Sequence, residues 1–329
     1  MERGHTLVLV CALLLVATGC AAQGEATRAA AAPESVLLRG YDLGGKRVPE
    51  PRYYHMETEV VTYAKDGTRA GTVTYRLYLM CTPPTRPERA AYQYTCAKLT
   101  IQRGQEPEVS IPALTGWSYE FSRGESGLDE KGQVLGIEHA RFEGLTDSKG
   151  ALLQPDVAYT VYNSFIDFHA FCNVFAEPAP DGGGIQDLKM IGQKIVHAAA
   201  HSEAPVNLGS NIAEGSYYKN GEVTLEFKGL SVVDGVPCAI IAYDSGEGAF
   251  KMLTEPMLGM QVTTVGASHY FGDLYVELDS KWVRKATMGE MVVAEATMDE
   301  ETLADFAVER ALTIRAVTEE AFAKPARES

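Results

Sequence analysis

Long apolar runs are scarce in this chain of 329 residues, which excludes helical membrane spans over most of its length. The longest, residues 7–16, has about ten residues, too few for a helix crossing a hydrocarbon core of about 30 Å. Positive charge is short as well. Lys and Arg number 29 against 44 Asp and Glu, and the resulting net charge of −15 would repel polyanions. Nucleic acid and a basic membrane-docking patch are therefore poor expectations as partners.

Catalytic signatures are equally thin. The stretch around Ser245 lacks the first glycine of a nucleophile elbow, and the stretch around Ser126 lacks the last. Gly182, Gly183 and Gly184 could cradle a phosphate on free amides, but the Lys-Ser/Thr ending of a P-loop is missing, so a connector is expected. Apolar residues still make up 46% of the chain, enough for a real core.

The amino end is the most specific segment. Arg3 provides a short positive region, residues 7–16 an apolar one, and Ala17, Thr18 and Gly19 are small residues before Cys20. This order reads as a removable export signal. Ala17-Thr18-Gly19-Cys20 resembles the lipobox of bacterial lipoproteins, and the resemblance covers residues 1–20 only. It implies removal of residues 1–19, acylation of Cys20 and attachment to a membrane through the lipid. Ala21, in place of aspartate, implies by the same resemblance sorting to the outer membrane, facing the periplasm.

Export shapes the reading of the cysteines. Beyond Cys11 and Cys20, four remain: Cys81, Cys96, Cys172 and Cys238. An even number in an exported chain suggests disulfides, and Cys81–Cys96 across the proline-rich loop, with Cys172–Cys238 by remainder, is the favoured pairing. Four buried thiols are the alternative.

Hydrophobic spacing divides the chain into an export signal (1–19), a lipidated cysteine and flexible tether (20–50), a β region (51–154), a helical middle (155–203) and a second β region (204–329) ending in a short helix. Val73, Tyr75, Leu77 and Leu79 alternate with polar residues, and Lys65-Asp66-Gly67-Thr68 supplies a turn before them. The same alternation predicts strands over 96–102, 117–122, 132–142, 223–227, 236–243, 274–278, 282–296 and 309–317. Asn220-Gly221 and Asp234-Gly235 read as hairpin turns. In the middle, Pro155 and Asp156 open a helix through residue 171, and Leu188, Ile191 and Ile195 predict a second over 185–201. The expected class is α+β: antiparallel β-sheets, built as meanders and hairpins, with a central helical pair. An extended curved sheet covered by helices resembles in outline the LolA/LppX-like half-barrels, which implies carriage of lipid.

Two constellations compete for function. His197 and His201, four apart on the second helix, could share a zinc ion with Asp167 or His169, although Ala198 stands where a zincin needs glutamate. This would make a metal-dependent hydrolase. The aromatic cluster Tyr159, Tyr162, Phe165, Phe168, Phe171 and Phe175 is either core or the lining of an apolar cavity. The expectation is a non-catalytic envelope lipoprotein that binds or scaffolds, with no cofactor. The hydrolase, and a periplasmic carrier of an apolar ligand, are the alternatives. Partners would be the membrane through the anchor, and an apolar ligand or an envelope protein.

Overall fold

The computed structural model describes residues 39–84, 91–121, 137, 139–205, 213, 215–254, 261–298 and 301–324. The export signal, Cys20 and residues 21–34 of the tether lie outside this set, as does most of the strand predicted over 132–142. The end of that prediction, His139–Phe142, is a short 3-10 turn.

Among the described residues, fourteen strands form one antiparallel sheet. The first five are β1 (Arg52–Ala64), β2 (Arg69–Thr82), β3 (Tyr92–Arg103), β4 (Val109–Ser110) and β5 (Ser118–Phe121). After the helical segment come β6 (Lys194–Val196), β7 (Glu203–Pro205), β8 (Tyr217–Lys219), β9 (Thr224–Val233) and β10 (Val236–Asp244). The last four are β11 (Gly248–Thr254), β12 (Val262–Glu277), β13 (Val283–Met298) and β14 (Glu301–Val317). The main path runs β4-β3-β2-β1-β14-β13-β12-β10-β9-β6, with β11, β8 and β7 extending from β12 and β5 pairing β3. Pairing of β1 with β14 joins the two predicted β regions in one sheet.

The α+β expectation is overturned: the described residues are mostly β, with one long helix and no helical pair among them. That helix, α1 (Pro155–His169), begins with proline in its first turn and buries Val161, Phe165 and Phe168 at helical spacing. A wide turn over Ala170–Val174 follows, closed by Phe175 N–H donating to the Ala170 carbonyl at 2.9 Å. The extra residue keeps Phe171, Cys172 and Phe175 facing inward.

Residues 185–201 form no helix. Ile185–Asp187 is a single 3-10 turn, and Gly192 takes a left-handed φ of 86°. The Gln193 side chain accepts from the Lys189 amide (2.7 Å) and donates to the Asp187 carbonyl (2.8 Å). Those side-chain bonds compete with helical ones, and Ile195 then pairs opposite Leu225 as part of β6.

Curvature follows from the helix contacts. Phe168 packs on Tyr94 of β3, while Phe171, one turn on, packs on Tyr243 of β10. These strands stand six places apart in the sheet, about 29 Å if it were flat. The sheet therefore curls around α1, helped by register shifts in five of its strand pairs. Asp234-Gly235 turns β9 into β10 as expected. Asn220-Gly221 does not make a hairpin, since β8 pairs with β7 and β11. Gly221 instead lies against the backbone of Gly246 and Glu247, where a side chain would collide. The C-terminal strand is followed by α2 (Glu319–Ala323), capped by Thr318.

The segment before β1 docks at the β12–β13 turn. Trp282 Nε1 donates to the Val48 carbonyl at 2.9 Å, and the Arg47 guanidinium lies 4.4 Å from the Trp282 ring centre. Arg52 forks onto Glu277 at 3.1 and 2.8 Å in the same corner.

Candidate ligand-binding groove

Strand register sorts the inward side chains into rows crossing the sheet. Leu77, Met56, Ile314, Ala286, Leu274 and Ile241 stand opposite one another on six adjacent strands, and all are buried. The next row, Tyr75, Thr58, Leu312, Met288, Gly272 and Tyr243, is closed as well, with Tyr243 Oη donating to the Thr287 carbonyl at 2.9 Å. These rows and the α1 aromatics form the hydrophobic core. The aromatic cluster from Phe165 to Phe175 is thus packing rather than a cavity lining.

The third row changes character: Val73, Val60, Arg310, Glu290, Tyr270. Arg310 Nη2 lies 3.1 Å from Asp167 Oδ2 of α1, and its Nε is 2.5 Å from Glu290 Oε2. Ser268 Oγ donates to Glu290 Oε1 at 2.6 Å, and Tyr218 Oη reaches Ser268 at 3.5 Å. Tyr159, Asn163 and Asp167 share one stripe of α1, so the helix presents a polar edge to this belt. Burial raises the pKa of Asp167, with Arg310 opposing and Glu290 adding. Burial works against the Arg310 charge, but the two carboxylates outweigh it and raise its pKa.

Beyond the belt the same face is apolar and open. The fourth row carries Thr62, Val308, Val292 and Ser268, the fifth Ala64, Phe306, Ala294, Gly266 and Phe250, and the sixth Ala304, Ala296, Thr264 and Met252. Val292, Val308, Phe306, Phe250 and Met252 are only half-buried. The Phe250 ring lies over Gly266, where a Cβ would collide with it. The result is a groove with an apolar floor of aliphatic and aromatic side chains, bounded at one end by a charged belt. Its architecture suits an elongated apolar molecule. The opposite face is apolar too: Val265, Met291 and Val293 are exposed and bound a shallow depression of about 680 Å³ beside Lys65 and Asp305.

The predicted metal ligands do not meet. His197 is buried against the Phe175 ring, its Nδ1 accepting from the Ala199 amide at 3.1 Å. His201 is exposed in a turn with φ 57°, so the two do not project from a common helical face. Asp167 is paired with Arg310. His169 sits between Tyr119 and Asn173 at 2.9 and 3.0 Å. Among the described residues no group of three or more His, Cys, Asp or Glu could hold a metal. The triple glycine cradles no free anion site, because the Asp187 carboxylate accepts from Gly183 N–H at 2.7 Å and from Gly184 N–H at 3.4 Å.

The expected disulfides are absent: Cys81, Cys96, Cys172 and Cys238 are free and buried. In the β2–β3 ladder Cys81 stands opposite Tyr94 and Cys96 opposite Leu79, so the two are diagonal rather than facing. Cys172 lies beneath Arg47 in the core, whereas Cys238 donates weakly to the Val236 carbonyl on β10 (3.4 Å). Arg310, Glu290 and Ser268 escaped the sequence reading. Their signal was parity, since Arg310 shares the spacing of two with the inward Leu312 and Ile314, and Glu290 with Met288 and Ala286.

No family model and no curated protein matches this chain. Two solved structures superpose in part. A DUF1329 family protein from Desulfovibrio piger has 7% identity and a TM-score of 0.15, over 82% of this chain and 89% of that one. A mutant porin of Rh. blastica has 7% identity and a TM-score of 0.19, over 81% and 100%. At these values neither likeness transfers a fold or a role.

Proposed function

We propose that this chain is a bacterial envelope lipoprotein, held in the outer membrane by acylated Cys20 and facing the periplasm, whose non-catalytic body binds an apolar ligand in the groove beyond α1. The observation that carries this reading is the half-buried inward face formed by Val292, Val308, Phe306, Phe250 and Met252. A sheet face of that composition gains from any apolar cover, at about 25 cal/mol for each Å² removed from water. The export signal and the lipobox resemblance support the address. The separation of His197 from His201 leaves the hydrolase alternative without its constellation.

The test uses residues 21–329, exported behind a leader without a lipobox and purified free of detergent. Organic extraction and mass spectrometry should recover an apolar compound. Phe306→Asp should abolish its retention while leaving the circular dichroism spectrum unchanged. An empty extract, together with failure to bind any alkyl-chain probe, refutes the groove. Palmitate labelling of the full chain that persists in Cys20→Ala refutes the anchor.

A further inference from the structure

Bulky and small side chains alternate across the open part of the groove. On its fifth row Ala64 of β1 is followed by Phe306 of β14, Ala294 of β13 and Gly266 of β12, and the Phe250 ring of β11 lies over that glycine. Two troughs therefore run along the strands, one over Ala64 and one over Ala294, with Phe306 as the ridge between them. β1 and β13 are two strand spacings apart, so the troughs lie about 10 Å from each other. On the sixth row β14 carries only Ala304, opposite Ala296, so the ridge ends and the troughs join at the end remote from the belt. From Glu290 to Ala296 is about 20 Å of strand, close to the length of an extended chain of about sixteen carbons at about 1.5 Å per bond.

The belt sets the direction. Arg310 pairs with both Asp167 and Glu290, and Glu290 also accepts from Ser268. These charges answer one another, so a polar head placed there would have to displace an existing ion pair. At the joined end Ala304 is exposed, and a head group there keeps its contact with water.

We infer that the groove takes a glycerolipid with two acyl chains, one on each side of Phe306, their ends toward the belt and the head where the troughs join. A single chain would cover one trough and leave the other, with the second face of the Phe306 ring, in water. This rests on the groove reading above and adds the number and direction of the chains.

Residues 21–329 retain the whole compact unit Leu37–Ser329 and serve for the test. They are titrated with dioctanoyl-phosphatidylcholine and with dodecanoyl-lysophosphatidylcholine below the aggregation limits, and native mass spectrometry counts the bound lipid. The unaltered chain should hold one two-chain lipid or two lysolipids. Ala64→Trp and Ala294→Trp each fill one trough. Each should weaken the two-chain lipid about tenfold or more and lower the lysolipid count to one. A single lysolipid on the unaltered chain, or two-chain affinity untouched by both variants, overturns the paired troughs while the groove survives. Binding of neither lipid removes the groove as well. A photoreactive group at the chain ends should label beside Glu290 and Arg310, and one on the head beside Ala304; the reverse pattern overturns the direction. The lipid count on the unaltered chain stands even if a variant fails to fold.

Discussion

Acid should destabilise this protein through His169, and by an amount that can be worked out. The ring is 1% exposed and stacks on Phe121 with centroids 4.0 Å apart. Asn173 Nδ2 donates to Tyr94 Oη (3.1 Å) and Glu177 Oε1 (2.8 Å), so its Oδ1 is the acceptor left for His169 Nδ1. Nδ1 therefore carries the proton, and Nε2 accepts from Tyr119. Burial drives the pKa of this neutral ring from 6.5 to about 3, the Asn173 hydrogen bond resisting and Arg47 adding to the fall. The unfolded chain takes up a proton below about 6.5 that the native state refuses. Stability from this group is thus complete above that pH and declines as pH falls toward 3. The loss is about 1.4 kcal/mol for each unit, or about 3 kcal/mol at pH 4. Denaturant melts of the unaltered chain and of His169→Gln at pH 7, 5.5 and 4 measure it. Titrating carboxylates elsewhere cancel in the difference between the two proteins, which should shrink by about 3 kcal/mol across the series. A difference that stays constant, or an imidazole that titrates near pH 6.5 by NMR, would refute the buried neutral relay.

Two glycines one strand apart should respond with opposite signs. A Cβ at Gly272 would collide with the Thr287 carbonyl and crowd Tyr243 Oη, so Gly272→Ala should cost about 1–3 kcal/mol. At Gly289 the nearest atom is Phe271 Cζ at 3.5 Å, and Gly289→Ala should gain about 0.5–1 kcal/mol. Thermal melts check both, and equal effects would contradict the packing. The four cysteines should count as four thiols when residues 21–329 are unfolded without reductant. In the native state they should react slowly at pH 8, because burial pushes Cys81 and Cys96 up to about 12. Fewer than four thiols would indicate bridges.

Much of the local structure was legible because it depends on near neighbours. Alternation located the strands that became β2, β9, β10 and β14, and Pro155 with its following apolar spacing marked α1. The failures share a cause. Leu188, Ile191 and Ile195 have helical spacing, yet the Gln193 side chain takes the backbone groups a helix needs, and Ile195 gains a partner in Leu225 that is remote in sequence. The zinc reading fell with that helix. Cysteine parity likewise says nothing about which thiols face each other across a ladder.

The groove belongs to a different level of organisation. Sequence by itself determined periodicity, the turn at Asp234-Gly235, the charge balance and the likeness of the amino end to an acylation signal, since each is read from composition or short segments. Only the tertiary structure decided that β1 lies beside β14, that the sheet curls about α1, and that Asp167, Arg310 and Glu290 converge. Such pairing is set by the burial of whole faces against distant partners. A strand's own pattern announces that it has an inner face, and the neighbouring strands determine what that face encloses.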